Sequence, residues 1–360
     1  MSVPSIGDET GAVPSAQQLA LEGATSELVP LIEDAMRRVV ESRPAPAAYY
    51  GMMHYHLGWA DEQLRPAKEP TGKRTRPLVC LLACGAVGGE IEAALAAAAA
   101  LELLHNFTLI HDDIEDADEY RHHRPTLWYL WGAPQAINAG DGMHVLAYSA
   151  LLDLTRSHAD AHTVLEIFRL LTETSLRITE GQHLDLEYEE RTNITTADYL
   201  DMIARKSAAI IRCATGIGAR LGGGTAQEVV SLERYGEALG IAFQICDDIL
   251  GLWGAPELTG KPVGADLARR KKTYPVVYAF THARGLERRT LQRFFEAVQP
   301  TTTQLDDARR IIERMGAIEQ AQQQVDDFSD RARAALSPLP LSAAREALLE
   351  LVDRLAVREY

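Results

Sequence analysis

The sequence predicts an all-α protein, a single-domain bundle of long helices around a central cavity. Three observations predict it. Apolar residues recur every three to four positions through nearly the whole chain. No segment alternates polar and apolar residues between hairpin turns. Gly and Pro gather at the joints, in Gly132-Ala133-Pro134, in Gly222-Gly223-Gly224, across 254–264, and at Pro338 and Pro340.

Taken in order, residues 1–20 are rich in Gly, Ser, Pro and acids and are expected to be disordered, leaving 21–360 as the folded domain. Helical runs follow at about 25–41 and 73–87. The stretch IEAALAAAAALELLHNFTLIHDDIEDA, from Ile91 to Ala117, holds no Pro or Gly and reads as one long helix. Further apolar-periodic runs lie near 135–156, 160–190, 197–222, 226–252, 274–284, 289–298, 303–335 and 341–357.

Composition narrows the function. Of 360 residues, 36 are Lys or Arg and 51 are Asp or Glu, a net charge of −15. That balance argues against nucleic acid as the main partner and against electrostatic docking on an anionic membrane. Cys80, Cys84, Cys213 and Cys246 form no CxxC pair or Cys/His cluster, so free buried thiols are expected. The chain opens without a basic region followed by an apolar one. Its longest apolar run, between Glu92 and Glu102, is shorter than the ~20 residues of a membrane span. A cytoplasmic protein without a transmembrane segment is expected.

Chemistry concentrates in two acidic stretches. In LIHDDIEDADEYRHHRPT, Asp112 and Asp116 are four apart and share a helix face, with Asp113 beside them and His105 two turns earlier. In FQICDDILG, Asp247 and Asp248 again follow an apolar run. Stacked carboxylates suit Mg²⁺, a hard cation that keeps waters and shares positions with substrate phosphates. A solvated acidic helix end is the competing reading. The apolar runs before both pairs favour carboxylates opening onto a deep cavity instead. Basic residues border both motifs: Lys73, Arg74, Arg76, Arg121, Arg124, Lys206, Lys261, Lys271 and Lys272. Metal-binding carboxylates among scattered cations suggest a diphosphate substrate.

These residues carry a resemblance. DDIED, GKRTRP, ELLH, EGQHLDL, MIARKSA and FQICDDILG followed by TGKPVGADL match, in order from about residue 72 to 272, the motifs of the isoprenyl diphosphate synthases, the trans-prenyltransferase family. The chain most resembles the short-chain geranylgeranyl diphosphate synthases. The resemblance implies an isoprenoid synthase fold, Mg²⁺ as cofactor with three ions, and isopentenyl diphosphate plus an allylic diphosphate as substrates. It also implies a homodimer, and the Ala-rich helix at 91–104 is expected to pack against the partner copy. By similarity, Asp112, Asp116 and Asp247 hold the ions, with Asp113 and Asp248 at or near them. Arg121, Lys206 and Lys261 complete the grip on the allylic diphosphate. Lys73, Arg76 and His105 hold isopentenyl diphosphate. Gln244 and the Lys206–Ser207 backbone face the allylic carbon. Phe107 and Thr108, one turn below the metals, set product length, Phe107 as a bulky floor.

Three positions depart from the family pattern. Gly251 stands where a third Asp is common, and weaker metal affinity is expected. His122 replaces the second Arg of an Arg-Arg pair in the isopentenyl diphosphate grip. Thr71 replaces a Gly. Rival readings are a class I terpene cyclase, a prenyltransferase with an unusual acceptor, a non-catalytic partner subunit, and a helical scaffold. The presence of both Asp-Asp pairs and of GKRTRP favours the elongating enzyme.

Overall fold

The structure is a computed structural model, and it describes residues 16–43, 45–70, 72–156, 159–254 and 264–356. Helices α1 (Ala16–Val40), α2 (Ala47–His56) and α3 (Thr75–Ala86) precede α4 (Leu95–Glu115), which is entered through a 3₁₀ turn at Ile91–Ala94. A two-stranded antiparallel ribbon, β1 (Tyr120–Arg121) and β2 (Arg124–Pro125), leads through α5 (Leu127–Trp131) to α6 (Ala133–Leu151) and α7 (Ala161–Glu189). Next come α8 (Thr196–Ile203), a π-helical turn at Ala204–Ala208, α9 (Ala209–Leu221) and α10 (Ala226–Trp253). The chain continues with α11 (Ala265–Ala268), α12 (Tyr274–His282), α13 (Gly285–Glu296), α14 (Thr302–Arg314), α15 (Ala317–Leu336) and α16 (Ala343–Ala356).

Local chemistry sets these boundaries. Thr195, Thr225 and Thr301 each form a capping box with the residue three positions on, and Asp160 accepts the amides of His162 and Thr163. Gly316, at φ 67°, divides the expected 303–335 run into α14 and α15, because its left-handed backbone ends the helix. The first helix begins at Ala16, so the last five residues of the stretch expected to be disordered are helical. Helix α2 was not foreseen from apolar periodicity, since its ten residues, AAYYGMMHYH, are mostly apolar or aromatic all round.

The bundle wraps around α4 and α10. Helix α4 lies along α6 and also meets α1 and α3, while α10 packs on α9 and α15. Ala97, Ala98, Ala99 and Ala100 are fully buried. The alanine run thus packs inside its own chain rather than against a partner, because small side chains let α6 approach closely. A smaller hydrophobic cluster, including Phe280, Phe294 and Ile312, joins α12, α13 and α14. Among the described helices only that at 91–115 is long and apolar enough to cross a membrane, and 67% of its apolar window is buried in the chain. All four cysteines are free and buried, as expected. Each acidic motif lies at the C-terminal end of a core helix, and that placement makes the site.

Candidate active site

Two cavities meet at α4. The first, about 580 Å³, is basic, with Lys73, Arg76, Arg121, His122 and His105 on its wall beside Asp247. The second, about 380 Å³, carries Asp112, Lys206 and Gln244 at one end and Phe107, Thr108 and Ile178 on its walls. Arg76, His105 and Leu109 line both. Lys261 lies outside the described residues.

The first acidic motif straddles the wall between them. Asp112 faces the second cavity, and burial raises its carboxyl to about 6 even though Lys206 opposes the rise. Asp113, 2% exposed, faces the first cavity and accepts Arg121 Nε at 2.8 Å. Burial pushes its carboxyl to about 6 as well, against the pull of Arg121. Burial would also raise Asp116, but the Lys271 ammonium, 3.0 Å away, together with Lys206 and Arg269 holds that carboxyl below its usual range. Arg121 thus lines the first cavity on Asp113, while its charge also reaches Asp112.

Lys206 sits on the π-helical turn. Its Nζ donates to Asp185 at 2.5 Å, and Asp185 and Asp112 together raise its pKa although burial alone would lower it. The EGQHLDL stretch of α7 makes this possible. A Cβ on Gly181 would stand 2.3 Å from the Lys206 amide nitrogen, so only glycine admits the turn. Gln182 Nε2 donates to Glu115 at 2.5 Å, and Asp185 takes the lysine. Gly240 of α10 meets Ala208 as closely from the other side. The turn is thus clamped between two glycines, with Lys206 presented to the second cavity.

The second motif is used differently. Asp248 is buried, and its oxygens are taken: Oδ2 accepts the Tyr199 hydroxyl and the Tyr274 amide (2.9 Å), and Oδ1 accepts Gln244 Nε2 (3.2 Å). Burial raises this carboxyl to about 7. Asp248 thus orients Gln244, whose Oε1 accepts Ser207 Oγ at 2.6 Å. Gly251, where the family often has Asp, leaves room for another acid. A Cβ there would lie 1.9 Å from Asp266 Oδ2. Asp185 and Asp266 fall inside the matched stretches EGQHLDL and TGKPVGADL, where no role was assigned to them, and Tyr199 carried no signal because its contact with Asp248 is distant along the chain.

His56, also missed, lines the basic cavity next to His105 and His122. Burial foremost, then the arginines around it, lower its pKa to about 3. Burial and Arg76 hold His105 well below its usual value, and burial with Arg121 lowers His122. All three imidazoles are neutral near pH 7, so positive charge there comes from Lys and Arg. Phe107 stacks on His144 at 4.6 Å and meets His111 edge-on at 4.8 Å, and His144 Nε2 lies 2.9 Å from Ser175 Oγ. The expected floor is therefore an aromatic layer backed by α6.

The donor chemistry fits Mg²⁺. Asp112, Asp116 and Asp247 offer hard oxygens, and a buried carboxyl raised to about 6 at Asp112 lacks full compensation for its charge. Among the described residues no three His, Cys, Asp or Glu side chains converge on one point. Asp112 and Asp247 line adjoining cavities rather than one pocket. Each ion would take few protein ligands and fill its shell with water and phosphate oxygens, the habit of Mg²⁺.

Comparison with known proteins agrees with this geometry. The polyprenyl synthetase family model matches residues 58–330. The geranylgeranyl diphosphate synthase of Mycobacterium tuberculosis is 36% identical over 351 residues, 97% of this chain and 96% of that protein. A (2E,6E)-farnesyl diphosphate synthase of Mycobacterium bovis is 36% identical over 313 residues, 85% of this chain and 86% of that protein. The crystal structure of geranylgeranyl pyrophosphate synthetase from Pyrococcus horikoshii superposes with a TM-score of 0.83 at 31% identity, covering 94% of this chain and 99% of that one.

Proposed function

The chain belongs to the polyprenyl synthetase family and is a prenyltransferase, and we propose that it condenses isopentenyl diphosphate with an allylic diphosphate to a short-chain product, geranylgeranyl diphosphate. The observation that carries this reading is the pair of cavities sharing Arg76, His105 and Leu109. One is basic and suits isopentenyl diphosphate. The other is lined by Asp112 and Glu115 and also by Phe107 and Thr108, which suits an allylic diphosphate and its tail.

Asp112, Asp116 and Asp247 would hold Mg²⁺, three ions in this reading, which when bound would supply Lewis-acid stabilisation of the leaving diphosphate. Lys206 and Lys271 add fixed positive charge where that charge grows. The allylic C–O bond breaks, and the electron pair leaves with diphosphate. Gln244, bonded at both ends, holds a fixed dipole beside the cation. The double bond of isopentenyl diphosphate, held by Lys73, Arg76 and His105, adds to the cation. A proton then passes to diphosphate, which restores a double bond. The reaction requires that water, which would quench the cation, be kept from it.

Exposed Val145 on α6 and Leu165 and Leu176 on α7 suit a homodimer face, which replaces the alanine run in that role. The proposed setting is cytoplasmic. The test is incubation with Mg²⁺, isopentenyl diphosphate and dimethylallyl, geranyl or farnesyl diphosphate, with chromatography of the dephosphorylated alcohols. A geranylgeranyl product lost on chelation is expected. A cyclic hydrocarbon, or no condensation with any primer, overturns the reading.

A further inference from the structure

Two arginines around the first cavity have their guanidinium nitrogens committed to protein partners. Arg74 is 4% exposed. Its Nε donates to Glu33 Oε1 (2.7 Å), Nη1 to Glu102 Oε1 (2.9 Å) and Nη2 to the Leu57 carbonyl (3.0 Å). Trp59 Nε1 donates to the other oxygen of Glu33 at 2.6 Å, which fixes that carboxylate in turn. Arg124 Nη1 donates to the Tyr55 carbonyl and Nη2 to that of Ala60, both at 3.0 Å. Its guanidinium lies 4.0 Å over the Tyr55 ring, and the Tyr55 hydroxyl donates to the Pro125 carbonyl at 2.8 Å.

The two arginines come from separate motifs but end on one segment. Tyr55 and Leu57 stand at the C-terminal end of α2, where the helix dipole is negative; the Tyr55 carbonyl accepts the Gly58 amide at 3.0 Å as well as Arg124. Cations are favoured there. His56, between the two carbonyls, turns its side chain into the cavity.

Each arginine also governs a bent backbone. Arg74 has φ 51° and ψ 37°, the left-handed region that non-glycine residues seldom adopt. That bend leaves Lys73 exposed at the cavity rim and turns Arg76 inward. In the ribbon, His122 (φ 50°) and His123 (φ 62°) make the turn, and Arg124 pairs with Arg121 across it. Fixing Arg124 therefore fixes Arg121 and His122.

We propose that residues 55–60, at the end of α2, are a common anchor holding the two basic arms of the first cavity at a set separation, with Arg74 and Arg124 as positioning residues. The inference rests on reading that cavity as the isopentenyl diphosphate site. Lysine at either position keeps the charge but cannot span two or three acceptors.

The experiment compares Arg74→Lys, Arg124→Lys and the double variant with the parent protein. Calorimetric binding of isopentenyl diphosphate is measured in EDTA, beside kcat and KM for both substrates with Mg²⁺. Misplaced contacts cost on the order of tenfold or more, so each single variant should bind isopentenyl diphosphate about tenfold more weakly. The allylic KM and kcat should stay within about threefold. The double variant should be weaker than either single one but stronger than the product of the two losses, because they act through one anchor. Unchanged binding, or loss confined to kcat, overturns the proposal, and strictly multiplicative losses overturn the common anchor. If Arg74→Lys does not fold, Glu33→Gln carries the same prediction for that arm. A parent protein that condenses nothing sinks the proposed function itself. An active parent with normally binding variants sinks only this inference.

Discussion

The aspartate pairs 112–113 and 247–248 read alike and are spent differently. Asp112 and Asp113 look into opposite cavities, the second held by Arg121. Asp247 borders the basic cavity, while Asp248 is packed among Tyr199, Tyr274 and Gln244. Neighbours on a helix point about 100° apart, so the two members of each pair face different surroundings. The first pair spans a wall, and the second divides its work between a cavity and a helix interface.

The largest effects should separate the members of each pair. Asp112→Asn should lower kcat about a thousandfold, since electrostatic stabilisation of a leaving group carries that much, and it should blunt the response to Mg²⁺ titration. Asp248→Asn should lower kcat by roughly ten- to a hundredfold, the cost of a misaligned catalytic group, with the Mg²⁺ concentration for half-activity unchanged. Asp113→Asn should act mainly on the KM for isopentenyl diphosphate by releasing Arg121. If Asp248→Asn shifts the Mg²⁺ response as far as Asp112→Asn does, the division of labour is wrong.

Gly251 sharpens the contrast from the other side. DDIED has Asp116 four residues after Asp112, whereas DDILG has Gly251 four after Asp247. The sequence alone suggests that Gly251→Asp restores a missing ligand. The structure puts Asp266 Oδ2 1.9 Å from the required Cβ, so the new carboxylate must displace a like charge. Activity should fall by about tenfold, the usual order for a disturbed partner of a metal site, and half-maximal activity should need more Mg²⁺. A gain in Mg²⁺ affinity would refute the idea that Asp266 already supplies that corner.

Much of this was legible in the sequence because it rests on local pattern. Helical periodicity located most core helices, and the family resemblance grouped Lys73, Arg76, His105 and His122, which line one cavity. Hidden were the contacts that decide how each residue is used. Nothing in FQICDDILG says that Tyr199, 49 residues earlier, will occupy Asp248. The 91–104 alanines looked like a partner surface because small residues permit any close contact, including the internal one that α6 makes.

The floor of the second cavity tests the contrast between polar mouth and aromatic base. Phe107→Ala removes the ring stacked on His144 and opens space toward α6. The product should gain a prenyl unit, since a turn of helix spans about 5.4 Å, with little change in rate. The wider cavity still ends at His144, which Tyr148 meets edge-on at 5.3 Å, so lengthening should stop there. Chromatography of the alcohols measures this, and an unchanged product removes Phe107 from the floor.

The smallest effect concerns pH. Burial raises the carboxyls of Asp112 and Asp113 to about 6 and of Asp248 to about 7, above their ordinary value. A raised folded pKa means that the stability tied to the protonated group is full below about 4, the unfolded value, and is lost as pH rises through 6 to 7. Above that window the metal-free protein carries buried charge that a cation at Asp112 would offset. Below it, a proton already does so and must be displaced. Mg²⁺ should therefore raise the melting temperature by a few degrees more at pH 7.5 than at pH 5.0, the scale of about 1 kcal/mol in a protein of this size. Differential scanning fluorimetry reads this directly. In Asp112→Asn most of the pH difference should vanish, whereas in Asp248→Asn it should persist, because Asp248 spends its oxygens on Tyr199, Tyr274 and Gln244 rather than on the ion. Equal Mg²⁺ shifts at both pH values in the parent protein would mean that the Asp112 carboxyl is already ionised at pH 5 and that burial does not govern it.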